Sequence, residues 1–194
     1  MGCEIEIKAH VKDNRFDAVK EKLAAIPEGK YLGTTDKEDI YWAHSSTDEP
    51  VFRTRKQVEN GIPTILFTSK PLKTKDYKTE VNVENEFEAS SAQWEGILSF
   101  VKGLGFVPCR RKWKRGVHYM IPVNGFDIHA ELLYVRHLGN FLEMEICAED
   151  INDVNKEEAK KALYELLKTA GLPKTAVEAK GYNKMLTALG RQLG

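Results

Sequence analysis

The chain has 194 residues, and its 29 Lys and Arg balance 29 Asp and Glu, so bulk charge argues for neither a nucleic-acid-binding surface nor an acidic tail. The length suits one domain, read as 1–194, with a core of useful size. Cys3, Cys109 and Cys147 are odd in number and form no CxxC pair, which excludes a zinc-ribbon spacing and disfavours a disulfide framework.

Residues 3–11 alternate charged and apolar side chains and read as a strand. "NRFDAVKEKLAAI" (14–26) sets Phe16, Val19, Leu23 and Ile26 at helical spacing and stops at Pro27. "EDIYWAH" (38–44) and "VFRTRKQ" (51–57) read as short strands on either side of the polar turn "SSTDEP". "NGIP" then turns the chain into "TILFTSK" (64–70). "TEVNVENEFEA" (79–89) alternates as a long strand. "SSAQWEGILSFVKGLG" (90–105) reads as a helix capped by Ser90 or Ser91 and ended by Gly103 or Gly105.

Three more strands follow: "CRRKWKRGVHYMI" (109–121), "GFDIHAELL" (125–133) and "NFLEMEIC" (140–147), joined by "PVNG" and "YVRHLG". "NKEEAKKALYELLKTAG" (155–171) is an amphipathic helix closed by Gly171 and Pro173, and "TAVEAKGYNKMLTAL" (175–189) a weaker one, placing the C-terminal helices at about 154–190. Antiparallel strands with hairpin-length connections predict an α+β fold whose sheet curls or closes. No apolar run spans a bilayer, and the N-terminus lacks the layout of a signal peptide, so the expected location is the cytoplasm, without membrane or nucleic-acid partners.

Successive strand residues point to opposite faces, so each strand can be sorted by parity. Glu4, Glu6 and Lys8 oppose Ile5 and Ile7. Arg53 and Arg55 lie together opposite Phe52, and Lys70 lies beside Thr68. Glu84, Glu86 and Glu88 oppose Val81, Val83 and Phe87. Lys112, Lys114 and His118 oppose Trp113, Val117 and Tyr119. Asp127, His129 and Glu131 oppose Phe126, Ile128 and Leu132, while Glu143 and Glu145 oppose Leu142, Met144 and Ile146.

Some strands thus present paired acids and others paired bases. Either these faces are solvated, or they line the interior of a closed sheet. Two carboxylates about 4 Å apart repel by roughly 4 kcal/mol at an effective dielectric of about 20, so acids clustered inside must protonate or recruit cations. All-oxygen donors suit Mg²⁺ or Mn²⁺, and Lys and Arg suit phosphate oxygens. Together these are the parts of a phosphoryl-transfer site. His44, His118, His129 and His137 read as surface or hydrogen-bonded residues, and Trp42, Trp94 and Trp113 as core.

Glu4-Ile5-Glu6-Ile7-Lys8 resembles the ExExK signature of the CYTH superfamily, the triphosphate tunnel metalloenzymes, which groups class IV adenylyl cyclases, thiamine triphosphatases and inorganic triphosphatases. Further stretches follow in the family's order. "DIYW" resembles its "DxYFD", "FRTR" its "LRxR" and "LFTSK" its "LTxK". "ENEFE" resembles the paired-acid strand and "KWKR" the late basic strand. "LGNFLEMEI" resembles "LGxFxEIE", and "KGYNKML" the C-terminal "SYxxLL".

The resemblance implies a closed eight-stranded antiparallel barrel, a tunnel with helices packed outside. Glu4, Glu6, Glu143 and Glu145 would bind Mg²⁺ or Mn²⁺. Lys8, Arg53, Arg55, Lys70, Lys112 and Lys114 would grip a triphosphate, with Glu84 and Glu86 on the substrate wall and Lys8 and Arg55 in catalytic roles. Arg115 could replace Lys114 in the basic strand.

There are departures: Leu133 stands where an Asp is usual, with Glu131 a substitute on the same face, Ala43 where an Asp is common, and Gly181 where the last motif has Ser. The implied activity is a metal-dependent triphosphatase acting on tripolyphosphate or a nucleoside or thiamine triphosphate. The alternatives are a class IV adenylyl cyclase and a non-catalytic polyphosphate- or nucleotide-binding barrel. A homodimer is left open.

Overall fold

Alternation of charged and apolar residues builds most of this chain into strands. The structure, a computed structural model, describes residues 2–76, 79–148 and 154–190, without the side chains of residues 2, 3 and 70–84. Lys70 and Glu84, both expected in the site, therefore lie outside the described side chains.

The strands are β1 (Gly2–Val11), β2 (Lys30–His44), β3 (Phe52–Glu59), β4 (Ile62–Asp76), β5 (Thr79–Ser90), β6 (Phe106–Val123), β7 (Phe126–Val135) and β8 (Gly139–Ala148). The helices are α1 (Phe16–Ala24), α2 (Trp94–Gly103), α3 (Lys156–Thr169) and α4 (Tyr182–Ala188). All eight strands pair antiparallel, in the order β1-β5-β4-β3-β2-β6-β7-β8, and β8 pairs back with β1. The fold is α+β.

One face of this sheet is apolar and covered by helices. Ile5, Ile7, Ala9 and Val11 of β1 pack with Val117, Tyr119 and Ile121 of β6, with Ile128, Ala130 and Leu132 of β7 and with Leu142, Met144 and Ile146 of β8. α1 lays Val19 and Leu23 on this layer, and α3 adds Ala159, Ala162, Leu163, Leu166 and Leu167. The spacing of the α3 residues makes one continuous apolar stripe. Asn155 starts α3 by accepting from the amides of Glu157 and Glu158 at 3.1 and 3.2 Å, and Gly171 ends it at φ +78°. α2 covers a second patch, Ile40 and Trp42 of β2, through Val101.

The elements differ from the expectation in three places. β2 begins at Lys30 and β4 runs on to Asp76, both longer than their apolar runs, because long neighbours supply the hydrogen bonds. The register of β4 against β5 shifts between Ser69 and Leu72, where Pro71 has no N–H for the ladder.

The helix expected over 175–189 is helical only at Tyr182–Ala188. Lys174–Ala176 is a 3₁₀ turn, Val177 bridges to Ala9, and the Glu178 amide donates to the Lys8 carbonyl at 2.9 Å. β5 pairs with β1 only from Gly2 to Glu6, so the C-terminal segment covers the β1 edge that β5 leaves open.

Trp113 is the third correction. Trp42 is buried and Trp94 packs against the α2 patch, but Trp113 donates from Nε1 to Asp36 at 2.7 Å on the outside of the sheet. The Arg115 guanidinium stands 5.1 Å from its ring centroid. Among the described residues no helix is long and apolar enough to cross a membrane.

Candidate active site

The opposite face carries the charges. β1 contributes Glu4, Glu6 and Lys8, β2 Lys37 and Asp39, β3 Arg53 and Arg55, and β6 Lys112 and Lys114. β7 adds His129 and Glu131, and β8 Glu143 and Glu145. The face is concave: Lys8 of β1 and Lys112 of β6, three steps apart in strand order, stand 5.7 and 5.1 Å from the ring centroid of one residue, Tyr182. Tyr182 arrives from α4 and packs with Leu133, Val135 and Phe141. Leu133, at the position of the usual Asp, is thus fully buried in an apolar cluster and offers no ligand.

At one pole, strand register makes Asp39 the centre of a row. It lies opposite Arg55 on β3 and opposite Lys112 on β6. Arg55 donates from Nε to Oδ1 at 2.6 Å and from Nη2 to Oδ2 at 3.2 Å, Lys112 Nζ lies 3.0 Å from Oδ2, and Arg53 Nη1 lies at 3.8 Å. Asp39 is 0% exposed. Burial by itself would raise its carboxyl, but Arg55, then Lys112 and Arg53, outweigh that and hold it well below the usual carboxylate range.

Arg53 also donates to Thr68 at 2.8 Å and meets Glu86 at 3.4 Å, and its buried Nε has no partner among the described residues. One buried carboxylate here serves three cations.

At the other pole, Glu6 lies opposite Glu145, and Lys8 opposite Glu143. Lys8 donates to Glu6 at 3.1 Å, and Lys114 donates to Glu143 and, at 3.2 Å, to Glu131. Lys37 of β2 reaches across the concavity to Glu131 at 2.5 Å, with Glu59 at 3.4 Å. Burial alone would raise Glu131, yet Lys114 and Lys37 hold it well below its ordinary value. Glu143 is lowered too, Lys114 overcoming its burial. Glu145 moves the other way: burial raises it and Glu4 adds to the rise, against a hydrogen bond from His129 at 2.8 Å. Burial and then the charge of Glu143 push the Tyr182 phenol well above its usual value.

The charged face therefore gathers Glu4, Glu6, Lys8, Arg53, Arg55, Glu86, Lys112, Lys114, Glu143 and Glu145. Arg115 lies on the other face, so Lys114 is the basic residue on the concave side. Two participants, Asp39 and Lys37, were missed. Asp39 stood in the "DIYW" motif with the parity of Lys37, a signal that could have found both. His118 and His129 are hydrogen-bonded as expected, but to each other and to Glu145, on the concave wall.

The CYTH domain family model matches residues 2–182. Among solved structures, the PH1012 protein of Pyrococcus horikoshii OT3 is 27% identical with a TM-score of 0.69, covering 93% of this chain and 98% of that one. The PH1819 protein of the same organism is 24% identical with a TM-score of 0.73, covering 96% and 99%. HpAC1 of Hippeastrum, a protein with a dominant triphosphatase activity, shares the fold at 16% identity and a TM-score of 0.64, covering 100% and 98%. No curated protein matches the chain. With the family model spanning nearly the whole sequence and the same fold in these structures, the chain belongs to the CYTH domain family.

Proposed function

We propose that the protein is a divalent-metal-dependent phosphohydrolase that cleaves a triphosphate inside a tunnel formed by closure of the sheet. The observation that carries this reading is the Asp39 row: Arg55, Lys112 and Arg53 share one buried carboxylate, and the buried Nε of Arg53 has no acceptor among the described residues. Such a wall is short of negative charge, which phosphate oxygens supply. Asp39 holds Arg55 through two hydrogen bonds, so the guanidinium is oriented before substrate arrives and loses little freedom on binding.

At the other pole the donor set fits a hard dication. Glu4, Glu6, Glu143 and Glu145 offer only oxygens, and burial, then the charge of Glu4, raises Glu145, a cost to its ionised form that a bound cation offsets. These four would hold Mg²⁺ or Mn²⁺, which when bound neutralises phosphate charge and polarises a phosphoryl oxygen. Arg53, Arg55 and Lys112 grip the phosphates, while Lys8 and Lys114, paired with the acids, extend the positive charge to the metal pole. Water adds to the terminal phosphorus, the bridging P–O bond breaks, and Arg55 and Lys8 stabilise charge that develops on the phosphate oxygens. The dominant triphosphatase activity of HpAC1, on the same fold, favours hydrolysis over cyclisation.

The test is to incubate the protein with tripolyphosphate, and separately with ATP, in Mn²⁺ and to separate the products. Orthophosphate is expected, and Arg55→Ala and Glu145→Gln should each lower kcat by about 10²–10³. Cyclic AMP with pyrophosphate would replace this reading with the cyclase. No turnover with any divalent ion, alongside a tripolyphosphate-induced rise in Tm, would replace it with a binding barrel.

A further inference from the structure

The concave wall also holds two histidines that the triphosphate chemistry does not use. His118 of β6 and His129 of β7 stand edge to face, with ring centroids 5.3 Å apart and Nδ1 of His118 3.1 Å from Nε2 of His129. Nδ1 of His129 lies 2.8 Å from Oε1 of Glu145. His118 is 6% exposed, and its Nε2 has no hydrogen-bond partner among the described residues. Ligand atoms of His118, His129 and Glu131 all come within 4.8 Å of one another.

Counting protons shows what this set lacks. A neutral imidazole has one N–H and one lone pair. The Glu145 carboxylate can only accept, so the His129 proton sits on Nδ1 and its Nε2 lone pair points at His118. If His118 carries its proton on Nδ1, it donates to His129 and leaves the lone pair of its own Nε2 buried and unmet. If it carries the proton on Nε2, two lone pairs face each other across 3.1 Å. With both rings neutral, the first tautomer joins them by a hydrogen bond, and the second leaves two facing lone pairs that a cation between the rings would meet.

We infer that His118, His129 and Glu131 form a binding site for a transition-metal dication of the Zn²⁺ or Co²⁺ class, with Glu145 orienting His129. Two nitrogens about 2.0–2.1 Å from one ion, at angles between square and tetrahedral, lie about 2.9–3.4 Å apart, which brackets the observed separation. A carboxylate on the far nitrogen of a ligating imidazole fixes its tautomer and raises its basicity. Glu131 has about four acceptor positions, of which Lys37 and Lys114 take two. Imidazole donors select zinc, cobalt, nickel or copper over Mg²⁺.

This deepens the proposed function by assigning ligands to a second ion on β6 and β7, where Leu133 supplies none. It rests on that reading only through Glu145, which both centres use.

The whole chain, stripped with a chelator and placed in excess Mg²⁺, should bind one equivalent of Co²⁺ and show hyperfine-shifted imidazole N–H resonances by proton NMR. His118→Gln and His129→Gln should each weaken Co²⁺ binding by at least about tenfold, and Glu145→Gln by about 10–100-fold. A Glu4→Gln, Glu6→Gln double variant should keep the shifted imidazole resonances. Co²⁺ bound without imidazole shifts, or with equal affinity in both histidine variants, would overturn the assignment. Imidazole shifts without triphosphate turnover would sink the proposed function and leave this site standing. Turnover without imidazole shifts would do the reverse.

Discussion

Asp39 organises the positive wall, and its effect on stability follows from its partners. It is fully buried and meets two cations within 3.0 Å. Asn in its place would leave Arg55 and Lys112 buried without an anion, a loss of about 3–5 kcal/mol at neutral pH. For a domain of this size that is roughly 10 °C in Tm. The sign with pH follows from its depressed carboxyl: the contribution is complete above the unfolded-state value near 4 and is lost as pH falls through the lower folded value. Calorimetry at pH 7 and pH 3 should therefore find a wide gap between wild type and Asp39→Asn that narrows in acid. A gap of constant size would mean that Asp39 acts through packing and not through charge.

At the scale of the element, β6 shows both what parity reveals and where it stops. Alternation set Lys112 and Lys114 apart from Trp113, while Arg115 stayed open as a replacement for Lys114 until the structure put it on the other face. It could not show that the far face of β6 is helix-covered at Val117, Tyr119 and Ile121 yet uncovered at Trp113, because coverage depends on where α1 and α3 land. The weaker C-terminal helix misled for a related reason: apolar spacing cannot foresee a β1 edge left open by a short β5 pairing, and Val177 answers that edge.

Gly116 is a further feature invisible to pattern, placed where β6 passes close to β7. A Cβ there would lie 2.0 Å from the Leu132 carbonyl oxygen, a backbone atom that cannot step aside alone. Gly116→Ala should cost about 1–3 kcal/mol from forced separation of the two strands. Urea unfolding should show the midpoint falling with an unchanged slope. An unchanged midpoint would mean that the two strands part freely at this point.

The whole molecule is electrically neutral while its concave face is divided into poles. Which residues share a face was legible, since parity needs only the local sequence. Which strands face one another was not, since Lys37 meets Glu131 across 94 positions through a strand order with no local signature. Neutrality has a consequence for binding. A protein with no net charge has little long-range field to draw in a polyanion, so affinity must come from the buried contacts of the positive wall.

The Debye length shrinks from about 14 Å at 50 mM salt to about 4 Å at 500 mM, which screens exposed charges far more than groups as buried as Arg55 and Lys112. Tripolyphosphate Kd, measured by calorimetry without divalent ions, should thus weaken less than about tenfold across that range. Arg55→Ala should weaken it at least about tenfold at both ends, because the lost contact is a charge-assisted hydrogen bond shielded from salt. If the wild-type Kd instead rose a hundredfold or more while Arg55→Ala converged with it at high salt, tripolyphosphate would be held by exposed charge and not by the Asp39 row.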